Sequence, residues 1–276
     1  MNKERLDQLL VKKGLFETRT KAQAAIMAGI VFVDDKKIDK AGTLIKEGAR
    51  CEVRGEKNPY VSRGGIKLEQ ALKAFGVDVR DMIVLDVGAS TGGFTDCLLQ
   101  KGAKKVYAID VGYGQISLKL RNDPRVVMVE RTNVRYLKAE ELYQARCETR
   151  DGRCEKASLA VIDVSFISLS KVFPAVCDLL SDDGEIIALV KPQFEAGREQ
   201  VEKGGLVKDK KVQAGVLDNV IASGAALGLK LKGATYSPIK GADGNIEFLV
   251  HFAKTGENVK LDTTKLVEEA RGLLSP

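Results

Sequence analysis

The sequence predicts an α/β fold in which a mostly parallel sheet is covered on both faces by helices, preceded by a small α+β domain. In residues 60–276, short apolar runs alternate with stretches of helical periodicity, which is typical of parallel strands joined by crossover helices. Residues 1–59 instead contain two short helical segments and one apolar run followed by a polar turn. Turn-forming residues accumulate from Arg54 to Pro59 and predict a linker, so we place the domain boundary between residues 59 and 60.

Apolar residues at helical spacing predict two helices in the small domain. The first begins near Leu6 and ends at Gly14, and the second begins after Thr18, a candidate N-cap, and ends at Gly29. The apolar run at residues 30–33 predicts a strand, and the polar residues after it predict the turn of a hairpin.

The second domain contains a series of strand-like apolar runs. Four of them predict parallel strands: Val84–Val87, Val106–Ile109, Leu159–Ile162 and Ile186–Val190. A later run, Ile246–Phe252, predicts an antiparallel strand at the edge of the sheet. Apolar residues at helical spacing near the C-terminus predict an amphipathic helix that covers the core, and they are Leu261, Leu266, Val267, Ala270, Leu273 and Leu274.

Charge and cysteine content narrow the class of protein. The net charge is +6, and residues 1–59 hold 13 Lys/Arg against 9 Asp/Glu, so most of the excess positive charge lies in the small domain. The five cysteines form no C-x-x-C pair and there is one histidine, His251, which argues against a metal site or a disulfide framework. A charged N-terminus and the lack of an apolar run of about 18 residues argue against a signal peptide or membrane span and predict a cytoplasmic protein.

A glycine-rich turn follows the first predicted strand of the second domain. Its glycines stand at positions 88, 92 and 93, directly before a helical stretch, and they let the backbone approach a nucleotide-sized ligand closely. The spacing differs from the G-x-G-x-x-G of dinucleotide folds, and no Gly-Lys-Ser/Thr follows, so a phosphate-binding loop is also disfavoured. Taken alone, such glycines are typical of a plain tight turn.

Acidic residues at the strand ends change this interpretation. Asp110 closes the next predicted strand, 24 residues after Asp86, where a carboxylate can accept hydrogen bonds from both hydroxyls of a ribose. Together with Asn133 they favour a nucleoside cofactor. The candidate cofactor-binding residues are Asp86, Gly88, Ser90, Thr91, Gly92, Gly93, Phe94, Asp110, Asn133 and Asp163.

Motifs spread over nearly the whole chain match a known family. They occupy residues 62–68, 85–94, 162–166, 189–195 and 244–248. In these segments the chain resembles the haemolysin TlyA family of rRNA 2'-O-methyltransferases, whose catalytic domain is related to the FtsJ-like methyltransferases. Residues 3 to about 55 resemble the alpha-L RNA-binding module. The resemblance implies a Rossmann-like, S-adenosylmethionine-dependent domain with a seven-stranded sheet, acting on cytidine in the rRNA of ribosomal subunits.

The resemblance also implies a catalytic tetrad of Lys67, Asp163, Lys191 and Glu247. Lys191 is expected nearest the ribose hydroxyl, a poor nucleophile whose developing charge an ammonium stabilises. The two carboxylates are expected to hold the lysines in place. Independently, Asp163 and Lys191 each follow an apolar strand, where open α/β sheets bind ligands, and Glu247 is a carboxylate within a predicted strand. The alternative is that all four are ordinary charged residues of loops or an edge strand.

Basic residues of the first part are candidates for phosphate contacts that position the protein on RNA. They are Arg5, Lys12, Lys13, Arg19, Lys21, Lys36 and Lys37, and Arg63 of the second part joins them. A solvated basic surface is the alternative. Two other functions stay open: a membrane-damaging haemolysin, and a catalytically silent RNA-binding assembly factor. We expect no membrane partner and no metal, and the sequence does not determine the oligomeric state.

Overall fold

A computed structural model describes residues 3–27, 29–54, 58–143 and 155–274. The chain divides into two compact units, residues 1–63 and 64–276. The predictions that involve Cys147 and Cys154 lie outside the described residues, and Cys51, Cys97 and Cys177 carry free thiols.

The first unit packs two helices against short antiparallel strands. Its elements are β1 (Lys3–Arg5), α1 (Leu6–Lys12), α2 (Arg19–Met27), β2 (Val31–Val33), β3 (Lys36–Lys37), β4 (Leu44–Lys46) and β5 (Cys51–Val53). Strand β1 pairs with β4, and β2 lies between β3 and β5. The predicted hairpin is present, with a two-residue turn at Asp34 and Asp35, both at positive φ. Strands β1, β4 and β5 were not predicted, since each contains charged residues and none forms an apolar run like that of β2.

The second unit contains the large sheet. Its strands are β6 (Ile83–Val87), β7 (Lys105–Ile109), β8 (Val126–Val129), β9 (Ala157–Ile162), β10 (Leu180–Val190), β11 (Lys230–Tyr236) and β12 (Phe248–Ala253). They form a seven-stranded sheet in the order β11-β12-β10-β9-β6-β7-β8. Neighbours from β10 to β8 pair in parallel, whereas β12 pairs antiparallel with both β10 and β11. The four predicted parallel strands are therefore confirmed.

Three features of the sheet correct the sequence interpretation. The antiparallel strand β12 is second in the strand order rather than at the edge, because β11 pairs with its outer side. Strand β11 was missed, since it contains two lysines and is only half-buried, and β8 was also missed. Strand β12 also begins one residue after Glu247, so that carboxylate precedes the strand instead of lying within it.

Helices cover the sheet and define the apolar core. They are α3 (Gly64–Phe75), α4 (Gly93–Gln100), α5 (Leu118–Arg121), α6 (Ala139–Tyr143), α7 (Phe173–Leu179), α8 (Pro192–Glu195), α9 (Lys210–Ala225) and α10 (Thr263–Leu274). The predicted terminal helix is α10, which packs on α9 through Leu266, Val267 and Ala270, whereas Leu273 is exposed. No helix within the described ranges is long and apolar enough to cross a membrane.

Candidate active site

The topology places a crevice beside β6, the first strand of the large sheet in chain order. From β6 the chain adds β7 and β8 on one side, then returns to build β9 and β10 on the other. Loops after β6 and β9 consequently leave in opposite directions, which is where open α/β sheets bind their ligands. Parallel strands run in the same direction, so the residues predicted at their carboxyl ends lie together at the same end of the sheet.

The glycine loop lies in this crevice and touches the end of β9. Gly88 has φ +89°, and a Cβ at this position would overlap the backbone carbonyl of Asp163. Gly92 has φ +92°, and a Cβ there would overlap the side chain of Leu120. Both positions need glycine for conformation and for space. Ser90 and Thr91 between them are exposed, whereas the side chain of Phe94 is buried, so Phe94 offers a ligand its backbone only.

Asp86 lies beneath the loop, inside β6, and is fully buried. Thr95 Oγ1 of α4 donates a hydrogen bond of 2.6 Å to Asp86 Oδ2, while Oδ1 has no hydrogen-bond partner in the described part of the chain. Burial raises the pKa of Asp86 to about 7. The structure thus places Asp86 as a support for the start of α4 rather than on the open surface of the crevice.

Asp110 stands at the open end of β7 and faces the glycine loop. Its Oδ2 accepts from the backbone N–H of Ser90 at 2.8 Å, and its Oδ1 accepts from Gly112 N at 2.7 Å. Each oxygen keeps lone pairs for further donors. Asn133 follows the neighbouring β8 and caps a short 3-10 turn, accepting from the backbone of Arg135. Asp110, Asn133 and the loop therefore line one side of the crevice.

On the other side, the four tetrad residues assemble as two ion pairs. Lys67 Nζ of α3 lies 2.5 Å from Glu247 Oε2, and the two side chains are 11% and 3% exposed. Lys191 Nζ, directly after β10, lies 2.6 Å from Asp163 Oδ1, with exposures of 12% and 22%. Lys191 also donates to Ser165 Oγ at 2.9 Å.

The charges of the two ion pairs interact with one another. Burial raises the pKa of Glu247, while the charges of Lys67 and Lys191 oppose that shift and the charge of Asp163 adds to it. A Cβ on Gly241 would overlap the Glu247 carboxylate, so glycine is needed there to admit it. The site is thus a compact, charge-balanced cluster with one deeply buried pair and one pair nearer solvent.

The basic residues proposed for RNA lie on the first unit, mostly beside acidic partners. Arg5 and Arg19 both bind the buried Asp7, whose pKa they hold well below its usual range together with Gln23. Of the other candidates, Lys12 pairs with Glu4 and Glu47, Lys21 pairs with Glu17, and Lys13 donates to the carbonyl of Ala49. Lys36 and Lys37 form β3 and are exposed, and Arg63 is half-buried.

Comparison with known proteins assigns the family. The FtsJ-like methyltransferase family matches residues 60–254, which is more than half of the chain. The chain belongs to the FtsJ-like methyltransferase family. An S4 domain matches residues 4–51.

Relatives of this FtsJ-like methyltransferase match it along most of their length. The 16S/23S rRNA (cytidine-2'-O)-methyltransferase TlyA of Mycobacterium tuberculosis is 43% identical, over 89% of this chain and 88% of that protein. Hemolysin A of Brachyspira hyodysenteriae is 46% identical, over 90% of this chain and 99% of that protein. A solved structure from Streptococcus thermophilus, whose description as a hemolysin is provisional, has a TM-score of 0.76 at 46% identity. The match covers 99% of this chain and 97% of that one. The predicted family resemblance, fold class and methyltransferase class are confirmed.

Two aromatic residues beside the tetrad of this FtsJ-like methyltransferase were given no role by the sequence. Phe166 is 90% exposed and adopts φ +63°, a conformation that a bulky side chain rarely takes. Its ring lies 5.0 Å from that of Phe194, and Lys191 Nζ lies 5.9 Å from the Phe194 ring. Phe166 stands in the matched segment 162–166, but only the backbone geometry reveals that its ring is held out into solvent.

Proposed function

We propose that this FtsJ-like methyltransferase transfers a methyl group from S-adenosylmethionine to the ribose 2'-hydroxyl of a cytidine in ribosomal RNA, within ribosomal subunits. The observation that carries the proposal is the pair of lysine–carboxylate contacts at the edge of the sheet, beside the glycine loop. The rRNA (cytidine-2'-O)-methyltransferase activity for which the M. tuberculosis relative is named supports the choice of substrate. Since that substrate is ribosomal RNA, we place the reaction in the cytoplasm.

The residues present fit a sulfonium nucleoside cofactor. Asp110 is held by two backbone N–H groups and has lone pairs left for the hydroxyls of a ribose, and Asn133 can bond an adenine edge. The backbone of the glycine loop and the first turn of α4 offer N–H donors to a carboxylate. When bound, the cofactor supplies an electrophilic methyl group. Asp86 supports this cradle through Thr95.

The tetrad prepares the acceptor. The Lys191 ammonium is fixed by Asp163 and Ser165, so it is oriented before the substrate arrives and can donate to the 2'-oxygen. As the 2'-oxygen bonds to the methyl carbon, the carbon–sulfur bond breaks with its electron pair going to the sulfur, and the hydroxyl proton passes to solvent water. The negative charge that develops on the oxygen is stabilised by this preoriented cation. Lys67 and Glu247 form the rear pair, which keeps the cluster charge-balanced and whose carboxylate is almost fully buried.

Aromatic and basic groups position the RNA. The exposed ring of Phe166, backed by Phe194, offers a stacking surface for a base next to the reacting ribose. On the first unit, we assign phosphate contacts to the candidate basic residues, with Arg5 and Arg19 oriented by Asp7. We keep residues 1–59 as the RNA-binding part and 60–276 as the catalytic part.

Methyl transfer to isolated ribosomal subunits tests the proposal. The wild-type chain and its Lys191→Met variant are incubated with labelled S-adenosylmethionine and subunits from a strain lacking the gene, and the label is mapped by nuclease digestion and mass spectrometry. We expect 2'-O-methylcytidine with the wild type and a rate about 10²- to 10³-fold lower with Lys191→Met, at unchanged cofactor affinity. Lys101→Met is the matched control, since Lys101 is also ion-paired, with Glu69, but lies directly after the C-terminal end of α4. A wild type that binds the cofactor and labels no RNA would refute the proposal.

A further inference from the structure

Two pairs of aromatic and basic side chains lie on the loops that follow the neighbouring strands β7 and β8, on the far side of the cofactor crevice from Lys191. They are Tyr113 with Arg131 and Tyr136 with Arg135, and together we call them the Tyr–Arg surface. The guanidinium carbon of Arg131 lies 4.2 Å from the ring centre of Tyr113, and that of Arg135 lies 5.2 Å from the ring of Tyr136. The two tyrosines are 65% and 72% exposed. Exposed large side chains that cluster in this way mark interaction sites, whereas scattered ones do not.

The backbone beneath the Tyr–Arg surface is firmly built. Gly112 N donates to Asp110 Oδ1 at 2.7 Å, Gly114 N donates to Glu130 Oε1 at 2.8 Å, and Arg131 N donates to the Gly112 carbonyl at 3.0 Å. These bonds tie the loop after β7 to the end of β8. Tyr113 is therefore presented to solvent on a fixed loop.

Arg131 is held there at a conformational cost. Its φ is +53°, a left-handed conformation that non-glycine residues seldom adopt. Its acidic neighbour Glu130 is bonded to Arg121 and to Gly114 N, and the outer face of Arg131 is exposed. Strain of this kind persists where the surrounding structure enforces it, which is typical of functional sites.

The position of the surface separates it from the tetrad. Strand β8 is four strands away from β10, so Arg131 lies about 19 Å from Lys191 at the usual strand spacing of about 4.8 Å. A nucleotide whose ribose reaches Lys191 cannot reach Arg131. The surface would instead meet a part of the substrate several nucleotides away, across the cofactor.

We propose that the Tyr–Arg surface is a second RNA-binding site of the catalytic unit, which binds unpaired nucleotides of the substrate RNA beyond the methylated one. Cations beside exposed rings bind the phosphates and the faces of unstacked bases at the same time. A protein partner would be matched less well, since the surface combines two guanidinium groups with two exposed rings, the groups that bind phosphates and base faces. The proposal rests on the proposed function, because it takes RNA as the substrate.

Affinity for RNA tests the assignment. The full chain and its Tyr113→Ala and Arg131→Ala variants are titrated against subunits from a strain lacking the gene, and against protein-free rRNA extracted from them, at one fixed salt concentration. Loss of one stacked base predicts a dissociation constant about 5- to 150-fold higher for both probes. Tyr113→Phe keeps the ring and should stay within about twofold of the wild type. Arg80→Ala, which removes the same charge ahead of β6 at the opposite end of the sheet, is the matched control and should also bind normally.

Cofactor affinity and the wild-type reaction separate the possible outcomes. We expect S-adenosylmethionine binding by calorimetry to be unchanged in both alanine variants; an equal loss there would assign the surface to the cofactor and overturn the proposal. Unchanged RNA affinity would overturn it too, and a loss confined to intact subunits would assign the surface to a ribosomal protein. If Arg131→Ala does not fold, Tyr113→Ala decides. Failure of the proposed function itself appears in the wild type, as an absence of methyl transfer.

Discussion

The buried pair of Lys67 and Glu247 should couple strongly in a double-mutant cycle. Lys67→Met leaves the Glu247 carboxylate in a site where it is 3% exposed, and Glu247→Gln leaves the Lys67 ammonium at 11% exposure. Removing one partner of such a pair costs about 3–5 kcal/mol, since the remaining charge is buried without its counter-charge. Removing both charges leaves two uncharged side chains of similar volume. The double variant should therefore lose less than the sum of the single variants, by about 2–3 kcal/mol.

Urea unfolding at pH 7 measures this coupling. The chain has no tryptophan, so far-ultraviolet circular dichroism is the suitable signal. The pair of Lys101 and Glu69, 2.8 Å apart, serves as the control cycle, because its side chains are 35% and 43% exposed. Exposed pairs couple by about 0–1 kcal/mol. Additive single effects at Lys67 and Glu247, within about 0.5 kcal/mol, would refute the argument that burial makes this pair interdependent.

Methyl transfer by the same variants separates stability from catalysis. The double variant regains stability but lacks both charges of the rear pair. We expect its methyl-transfer rate to stay as low as those of the single variants, since the proposed site needs these charges to orient Lys191. Recovery of the rate together with the stability would show that the rear pair has a packing role alone.

Three further predictions concern other parts of the chain. Because the pKa of Asp86 is raised from 3.8 to about 7, the folded state keeps a proton that the unfolded chain has lost. The free energy of unfolding should therefore fall by about 3 kcal/mol as the pH rises from 4 to 7, and Asp86→Asn should remove that contribution in urea unfolding. Asp7→Asn should destabilise the first unit by about 2–3 kcal/mol, measured by hydrogen exchange, since it removes the carboxylate that holds Arg5 and Arg19. It should also weaken rRNA binding, measured by titration, and unchanged RNA affinity would contradict a role of these arginines in binding. Phe166→Gly should stabilise the chain by about 1 kcal/mol by relieving its positive φ, yet raise the KM for RNA; an unchanged KM would remove the stacking role.

The parts of the fold visible in the sequence are those that are buried on both faces. Strands β6, β7 and β9 and the second half of β10, Ile186–Val190, are almost entirely apolar because helices cover both sides of the sheet. The first half of β10 is mostly polar and was not predicted. Strand β11 is half-buried and contains two lysines, so its pattern resembles a loop. The position of β12 inside the sheet depended on finding β11, and the edge assignment was wrong for that reason.

The candidate site likewise has parts that the sequence predicts and parts that only the structure shows. The resemblance supplied the four tetrad residues, but not which lysine pairs with which carboxylate, since Lys67 and Glu247 are 180 residues apart in the chain. Likewise, a count of basic residues cannot show that Arg5 and Arg19 share the carboxylate of Asp7. The conformations of Phe166 and Arg131 are equally invisible, because positive φ at a residue other than glycine is imposed by neighbouring backbone.

The different burial of the two ion pairs explains why the proposed site uses two. Lys191 must meet a substrate hydroxyl, so its pair with Asp163 has to reach solvent, where a single lysine and carboxylate could adopt several geometries. Lys67 and Glu247 are more deeply buried, and their charges act on the outer pair at short range. A fixed inner pair thereby restricts the outer pair to one arrangement, which is what preorganisation requires. A variant that disturbs only the inner pair should therefore lower the rate of methyl transfer while S-adenosylmethionine affinity stays the same.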